Sequence, residues 1–216
     1  MTPEKPSNGD TQPQTDVSTE RQYPEDVLVS PDWVDAHLDQ FTAADSDLRL
    51  LEVDVNTAFY DTGHVPGAAR VNWETDLQST DTRDILSPDE MESFLGSRGI
   101  TEATTVVVYG DNSNWFATHL YWQLTYYGHP DVRVMDGGRE YWLDHGYPTT
   151  TDSVDPATVE YGGTLDPPAK PQIRTHREEV RDALDTETEF IDVRLPEEFR
   201  GDITKPPGID EGAMRG

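Results

Sequence analysis

Thr105-Val106-Val107-Val108-Tyr109-Gly110-Asp111-Asn112-Ser113-Asn114-Trp115-Phe116 is the stretch on which the fold turns. Five residues rich in β-branched side chains end at a glycine, which predicts a buried strand over 105–109. A polar loop follows. Phe116 to Tyr127 then carries apolar residues at helical spacing and stops at Gly128. Val132-Arg133-Val134-Met135 reads as the next strand, and Asp136-Gly137-Gly138 turns the chain into a helix through Trp142. Upstream, Leu48 to Val55 reads as a buried strand, and Ser87-Pro88-Asp89-Glu90 opens a helix that buries Met91, Phe94 and Leu95 and stops at Gly99. Folding signals begin at Val27-Leu28-Val29. Ser30 follows as an N-cap, Pro31 as the first helical residue, and Trp33, Val34 and Leu38 as the buried face. Strands alternating with helices predict an α/β domain whose central sheet is mostly parallel.

Composition narrows the partners. The 216 residues hold 16 Lys and Arg against 43 Asp and Glu, a formal net charge of −27. Binding to nucleic acid or to an anionic membrane needs a basic face, so neither is expected. Disorder would also accompany such acidity, but Trp33, Trp73, Trp115, Trp122 and Trp142 sit in well-patterned segments. An acidic surface kept soluble in a salt-rich cytoplasm is the reading preferred here. There is no cysteine, so a disulfide, a thiolate metal site and a cysteine nucleophile are all excluded within this chain. With no apolar run of spanning length and no signal-peptide core, a cytoplasmic location is expected.

The remaining segments divide the chain. Residues 1–23 read as a disordered acidic tail and 24–150 as the α/β domain. Residues 151–174, rich in Pro, Gly and Thr, read as a linker. Residues 175–216 read as the incomplete start of a second domain: Thr175-His176-Arg177-Glu178 as a capping box opening a helix through Leu184, and Phe190-Ile191-Asp192-Val193 as a strand. This last part repeats the first. Leu51-Glu52-Val53 aligns with Ile191-Asp192-Val193 at a constant offset of 140, which also places Phe59 on Phe199 and Asp54 on Arg194. Internal duplication is the economical explanation.

Several short motifs occur in a recognisable order: Gly63-His64-Val65-Pro66-Gly67-Ala68, the Val106–Tyr109 strand, Asp136-Gly137-Gly138 with Trp142, Gly146-Tyr147-Pro148, and Asp192-Val193-Arg194 with Pro196-Glu197-Glu198-Phe199. Together they resemble the rhodanese (thiosulfate sulfurtransferase) family in its tandem two-domain form, cut off within the second domain. The resemblance implies a three-layer domain with a mostly parallel sheet, followed by the start of a second copy. It also implies transfer of sulfane sulfur from a small-molecule donor to a thiophilic acceptor such as cyanide, once the second domain is complete. No cofactor or metal is implied. In that family a cysteine thiolate takes up the sulfur, cradled by backbone N–H groups at a helix N-terminus. Gly110 stands at the cysteine position here, in an inactive loop of Gly110, Asp111, Asn112, Ser113, Asn114 and Trp115, with the Asp111 charge beside it. No catalytic residue is assigned within the chain. A module that binds or regulates without catalysis is the alternative.

Other candidates carry two readings each. Asp192 and Arg194 are either framework of the active domain, by resemblance, or a structural ion pair. Glu198 stands where many two-domain members have a substrate-contacting Arg. His64 invites a catalytic role, but within Gly63-His64-Val65-Pro66-Gly67 it reads as fixing the turn. Glu52 and Asp54 point to the same side of one strand, as a divalent cation or a metal-dependent hydrolase would need, but a solvated strand end is the commoner arrangement. Trp115 and Phe116 either line an interdomain cleft or pack at a helix start.

Because the net charge repels itself, stability is expected to rise with KCl as the Debye length falls from about 10 Å at 0.1 M to about 3 Å at 1 M. Thermal melts across that range are the measurement. An unmoved midpoint would remove the salt-adaptation reading.

Overall fold

The computed structural model describes residues 27–79, 82 and 84–203. The acidic tail expected at 1–23, and the chain from Thr204 onward, lie outside the described residues. Five parallel strands form one sheet in the order β1-β5-β4-β2-β3. They are β1 (Leu28–Val29), β2 (Leu48–Asp54), β3 (Ala68–Asn72), β4 (Thr105–Tyr109) and β5 (Val132–Met135). The quoted β-branched run, β4, is the central strand. Its side chains alternate: Val106 and Val108 enter one core, Val107 and Tyr109 the other.

Helices close both faces, as a parallel sheet requires. The first core lies under α5 (Pro88–Ser97) and α6 (Asp111–Tyr127), with Met91, Phe94, Leu95, Leu120 and Leu124 buried against β2 and β4. The second lies under α1 (Pro31–Ala36), α2 (Leu38–Thr42) and α7 (Gly138–Asp144), with Val34, Phe41 and Trp142. Short helices α3 (Phe59–Thr62) and α4 (Trp73–Asp76) flank β3. The expected starts hold. Ser30 Oγ accepts the Trp33 N–H at 3.0 Å, and Ser87 and Glu90 form a reciprocal capping box. Trp33 and Leu38 are only half-buried, at the rim of their core. No helix among the described residues is long and apolar enough to cross a membrane.

The segment read as a linker is seated on the domain. Tyr161 and Leu165 are buried in the α5–α6 core. Val159 N–H donates to Gly96 O at 3.0 Å, Glu102 N–H to Tyr161 O at 2.9 Å and Lys170 N–H to Tyr126 O at 3.0 Å. The Trp122 indole reaches Ile173 O at 3.2 Å. Gly96 makes this approach possible, because a Cβ there would collide with the Val159 carbonyl oxygen.

Two expectations for the following stretch need correction. The helix there, α8 (Arg177–Ala183), is capped at His176, not Thr175: Glu179, not Glu178, accepts the His176 N–H at 2.8 Å. Phe190–Val193 forms no strand, and Ile191 and Val193 are 88% and 93% exposed. A strand persists by sharing its N–H and C=O groups with a neighbour. None of the five strands pairs with this segment. A last short helix, α9 (Pro196–Arg200), follows.

Gly96→Ala is expected to lift the strap and cost about 1–3 kcal/mol, the usual price of overpacking. Denaturant melts measure the loss, and limited proteolysis should open new cleavage between residues 157 and 170. An unchanged melt with intact protease resistance would show that the strap adds nothing to the domain.

Candidate functional site

The chain after β2 runs to β3 on one side, and the chain after β4 runs to β5 on the other. The C-terminal ends of β2 and β4 therefore flank the switch point where open parallel sheets place their sites. The Gly110–Trp115 loop leaves β4 at this point. Its backbone is unusual: Asn112, Ser113 and Asn114 all have positive φ, at 45°, 56° and 66°. Non-glycine residues enter this region at a steric cost, which Asn tolerates best. Regular turns of α6 begin only after them.

Side-chain bonds hold this conformation. Asn114 is buried; its Oδ1 accepts the Gly110 N–H at 2.9 Å, and its amide donates to Met135 O at 2.8 Å. Asp111 is also buried. Its carboxylate accepts the N–H groups of Val55 and Asn56 at 2.7 and 3.1 Å. The Asp111 charge expected beside Gly110 is turned away from it, into the chain that follows β2. Asn112, Ser113 and Trp115 face solvent, with Trp115 stacked on Phe116 and Phe116 on Trp73 at centroid distances of 5.6 and 4.0 Å.

Gly110 is closed to any side chain. A Cβ built there would fall far inside contact with the Val53 carbonyl oxygen and 3.5 Å from Asp54 Oδ1. The end of β2 occupies the space that a nucleophile on this residue would need.

Beneath the loop, Glu52 and Asp54 are 1% and 2% exposed. The expectation of a solvated strand end is overturned. Glu52 accepts from Arg139 Nη1 at 2.5 Å and from the Tyr109 hydroxyl, while Asp54 Oδ1 accepts the Asp111 N–H at 2.9 Å. Arg139 also donates to the carbonyls of Phe59 and Gly63 at 2.9 and 2.6 Å, and its own N–H reaches Gly110 O at 2.9 Å. A guanidinium therefore fills the place beside Glu52 that a cation would need. Burial pushes the Tyr109 hydroxyl well above its ordinary range. Arg139 and Tyr109 were missed in the sequence; the only signal was a cation directly after Gly137-Gly138 at a helix start.

His64 is buried in its turn, stacked on Tyr60, with ring nitrogens 2.8 and 3.1 Å from the carbonyls of Tyr60 and Asp152. Asp192 and Arg194 form a forked, exposed ion pair with Nη2–Oδ2 at 2.5 Å. Their hydrogen bonds run to each other and not to the Gly110–Trp115 loop.

Comparison with known proteins agrees with this architecture. Residues 30–145 match the rhodanese-like domain model. A Haloferax volcanii protein named "Putative thiosulfate sulfurtransferase" is 52% identical over 194 residues, covering 90% of this chain and 67% of its own. The sulfur carrier protein TtuD of Thermus thermophilus is 40% identical over 200 residues, covering 89% and 66%. The chain thus spans about two thirds of the length of these relatives. Among solved structures, an EanB variant bound to ergothioneine superposes with a TM-score of 0.62 at 30% identity, over 75% of this chain and 42% of that one. YnjE gives 0.61 at 26% identity, over 75% and 39%. Sheet order, loop position and these matches agree, and the chain belongs to the rhodanese-like family.

Proposed function

We propose that the chain forms the catalytically silent part of a sulfurtransferase that moves sulfane sulfur from a donor such as thiosulfate to a thiophilic acceptor such as cyanide. The thiol that carries the sulfur lies outside these 216 residues. In that chemistry a thiolate attacks the outer sulfur of thiosulfate, the S–S bond breaks and sulfite leaves with the electron pair. Cyanide then attacks the outer sulfur of the persulfide, forming thiocyanate and restoring the thiolate. This chain has no cysteine to take either step. The observation that carries the reading is the closure of Gly110 by the Val53 carbonyl, which leaves the loop without room for a nucleophile. Gly110–Trp115 is then the counterpart of the sulfur-carrying loop, while Asp192 and Arg194 belong to the framework of the domain that holds the thiol. The exposed Ile191 and Val193 support the same reading, since they have the character of a strand without a sheet.

A non-enzymatic binding module is the second reading. It is favoured by Phe59 and Trp115, 42% and 43% exposed beside the C-terminal ends of the strands.

Purified chain assayed with thiosulfate and cyanide in high salt is expected to form no thiocyanate above the protein-free control. Fusing it to the part of the Haloferax volcanii relative that the match leaves uncovered should give turnover. Transfer by the unfused chain would refute the reading. A folded fusion no faster than the added part alone would favour the binding module.

Gly110→Cys is expected to create no efficient transferase. The new Cβ displaces the end of β2, and a thiol forced in there is buried against the Val53 carbonyl oxygen and Asp54 Oδ1, acceptors that disfavour the thiolate. Titrating the thiol and measuring thiocyanate check this: a thiol pKa lowered below about 8.5, with rapid transfer, would show that the loop is not closed.

A further inference from the structure

Glu52, Asp54 and Asp111 bring three carboxyl groups into one buried volume, and one guanidinium answers them. The donors around them can be counted. Asp111 takes the N–H groups of Val55 and Asn56, and Glu52 takes Arg139 and the Tyr109 hydroxyl. Asp54 Oδ1 takes the Asp111 N–H. Asp54 Oδ2 is buried and has no donor from any side chain or backbone group among the described residues. Its neighbour is the Glu52 carboxyl, itself an acceptor. Two bare acceptors placed together in a dry interior repel, and a buried acceptor without a donor is costly. A proton on Asp54 Oδ2 removes both penalties, since it becomes a donor to Glu52 and takes one charge from the cluster.

Every element packed here contributes to the balance. Glu52 comes from β2, the Tyr109 hydroxyl from β4, Asp111 from the start of α6 and Arg139 from α7, while the Tyr60 hydroxyl on α3 feels the Glu52 charge. Only Arg139 among them is cationic, and its Nη1 is already paired with Glu52.

We propose that Asp54 is held as a neutral acid, and that its proton, shared with Glu52, is the latch that closes the Gly110–Trp115 loop onto the end of β2. The latch is pH-sensitive. Burial, the hydrogen bond to Glu52 and the charges of Glu52 and Asp111 push the Asp54 carboxyl up to about 9 from an ordinary 3.8. Because the folded value is raised, the stability from this proton is complete below about pH 4 and is lost progressively up to about pH 9. Above that the ionised Asp54 faces Glu52 and Asp111 together, and the loop is released.

Asp54→Asn mimics the neutral acid, because its amide oxygen can accept the Asp111 N–H while its NH2 donates to Glu52. The folding equilibrium constant of the full chain, relative to this variant at fixed high salt, should fall as pH rises above about 4, by at most about tenfold per pH unit, and level off once Asp54 is ionised. Difference infrared spectra of the unaltered chain at pH 7 should show one neutral carboxyl C=O stretch that Asp54→Asn lacks. A pH-independent gap between the two proteins would overturn the proposal. So would the absence of a neutral carboxyl band, the outcome if a bound water supplies the missing donor. If Asp54→Asn fails to fold, the infrared titration of the unaltered chain decides: loss of the band with a midpoint well above neutral supports the latch, and no band rejects it.

Discussion

Arg139 is the group on which the arrangement of the sheet's C-terminal end depends. Its guanidinium joins Glu52 of β2 to the carbonyls of Phe59 and Gly63, and its backbone N–H holds Gly110 O. One residue on α7 thus fastens the central strands, the Gly63–Ala68 turn and the loop after β4. A buried charge is tolerated only when paired and fully hydrogen-bonded, and breaking such a pair leaves an uncompensated ion in the core. The Tyr109 hydroxyl, which donates to Glu52 and accepts the Val65 N–H at 3.0 Å, extends the same network to the residue beyond His64.

That network gives the loop its character. A loop made to bind an anion would turn N–H groups outward around an open space. Here the loop turns inward: Asn114 bonds back to Gly110, Asp111 binds the chain after β2, and Val53 fills the space above Gly110. The strained backbone of Asn112, Ser113 and Asn114 survives because these surrounding bonds over-determine it. Trp115 and Phe59 present apolar surface beside it.

The strap shows how the domain completes itself. Tyr161 and Leu165 finish the core on the α5–α6 side, although they lie in a stretch whose Pro, Gly and Thr content suggests a free linker. Composition reports local stiffness and solubility, not whether two isolated apolar side chains find a groove. The glycine that lets Val159 approach α5 is sixty-three residues upstream, at Gly96, and nothing local to either segment announces the contact.

The fold class and most of its principal elements were legible before any tertiary contact was known, although β3 and the short helices beside it were not. The β-branched run at 105–109, the caps at Ser30 and Ser87 and the glycine stops follow from short-range sterics and hydrogen bonding, and the structure repeats them nearly residue for residue. Motif order carried the family, and the sequence contains no cysteine. Tertiary structure alone decided what the charged residues do. Glu52 and Asp54 look like surface acids in an acidic chain, and only the registration of β2 beside β4, which pairs Glu52 with Tyr109, places them in the interior. Arg139 reaches them across eighty-seven residues. Burial and pairing are long-range properties, set by which strands become neighbours. Phe190–Val193 marks the converse limit: its pattern is that of a strand, but a strand exists only where another strand takes up its hydrogen bonds.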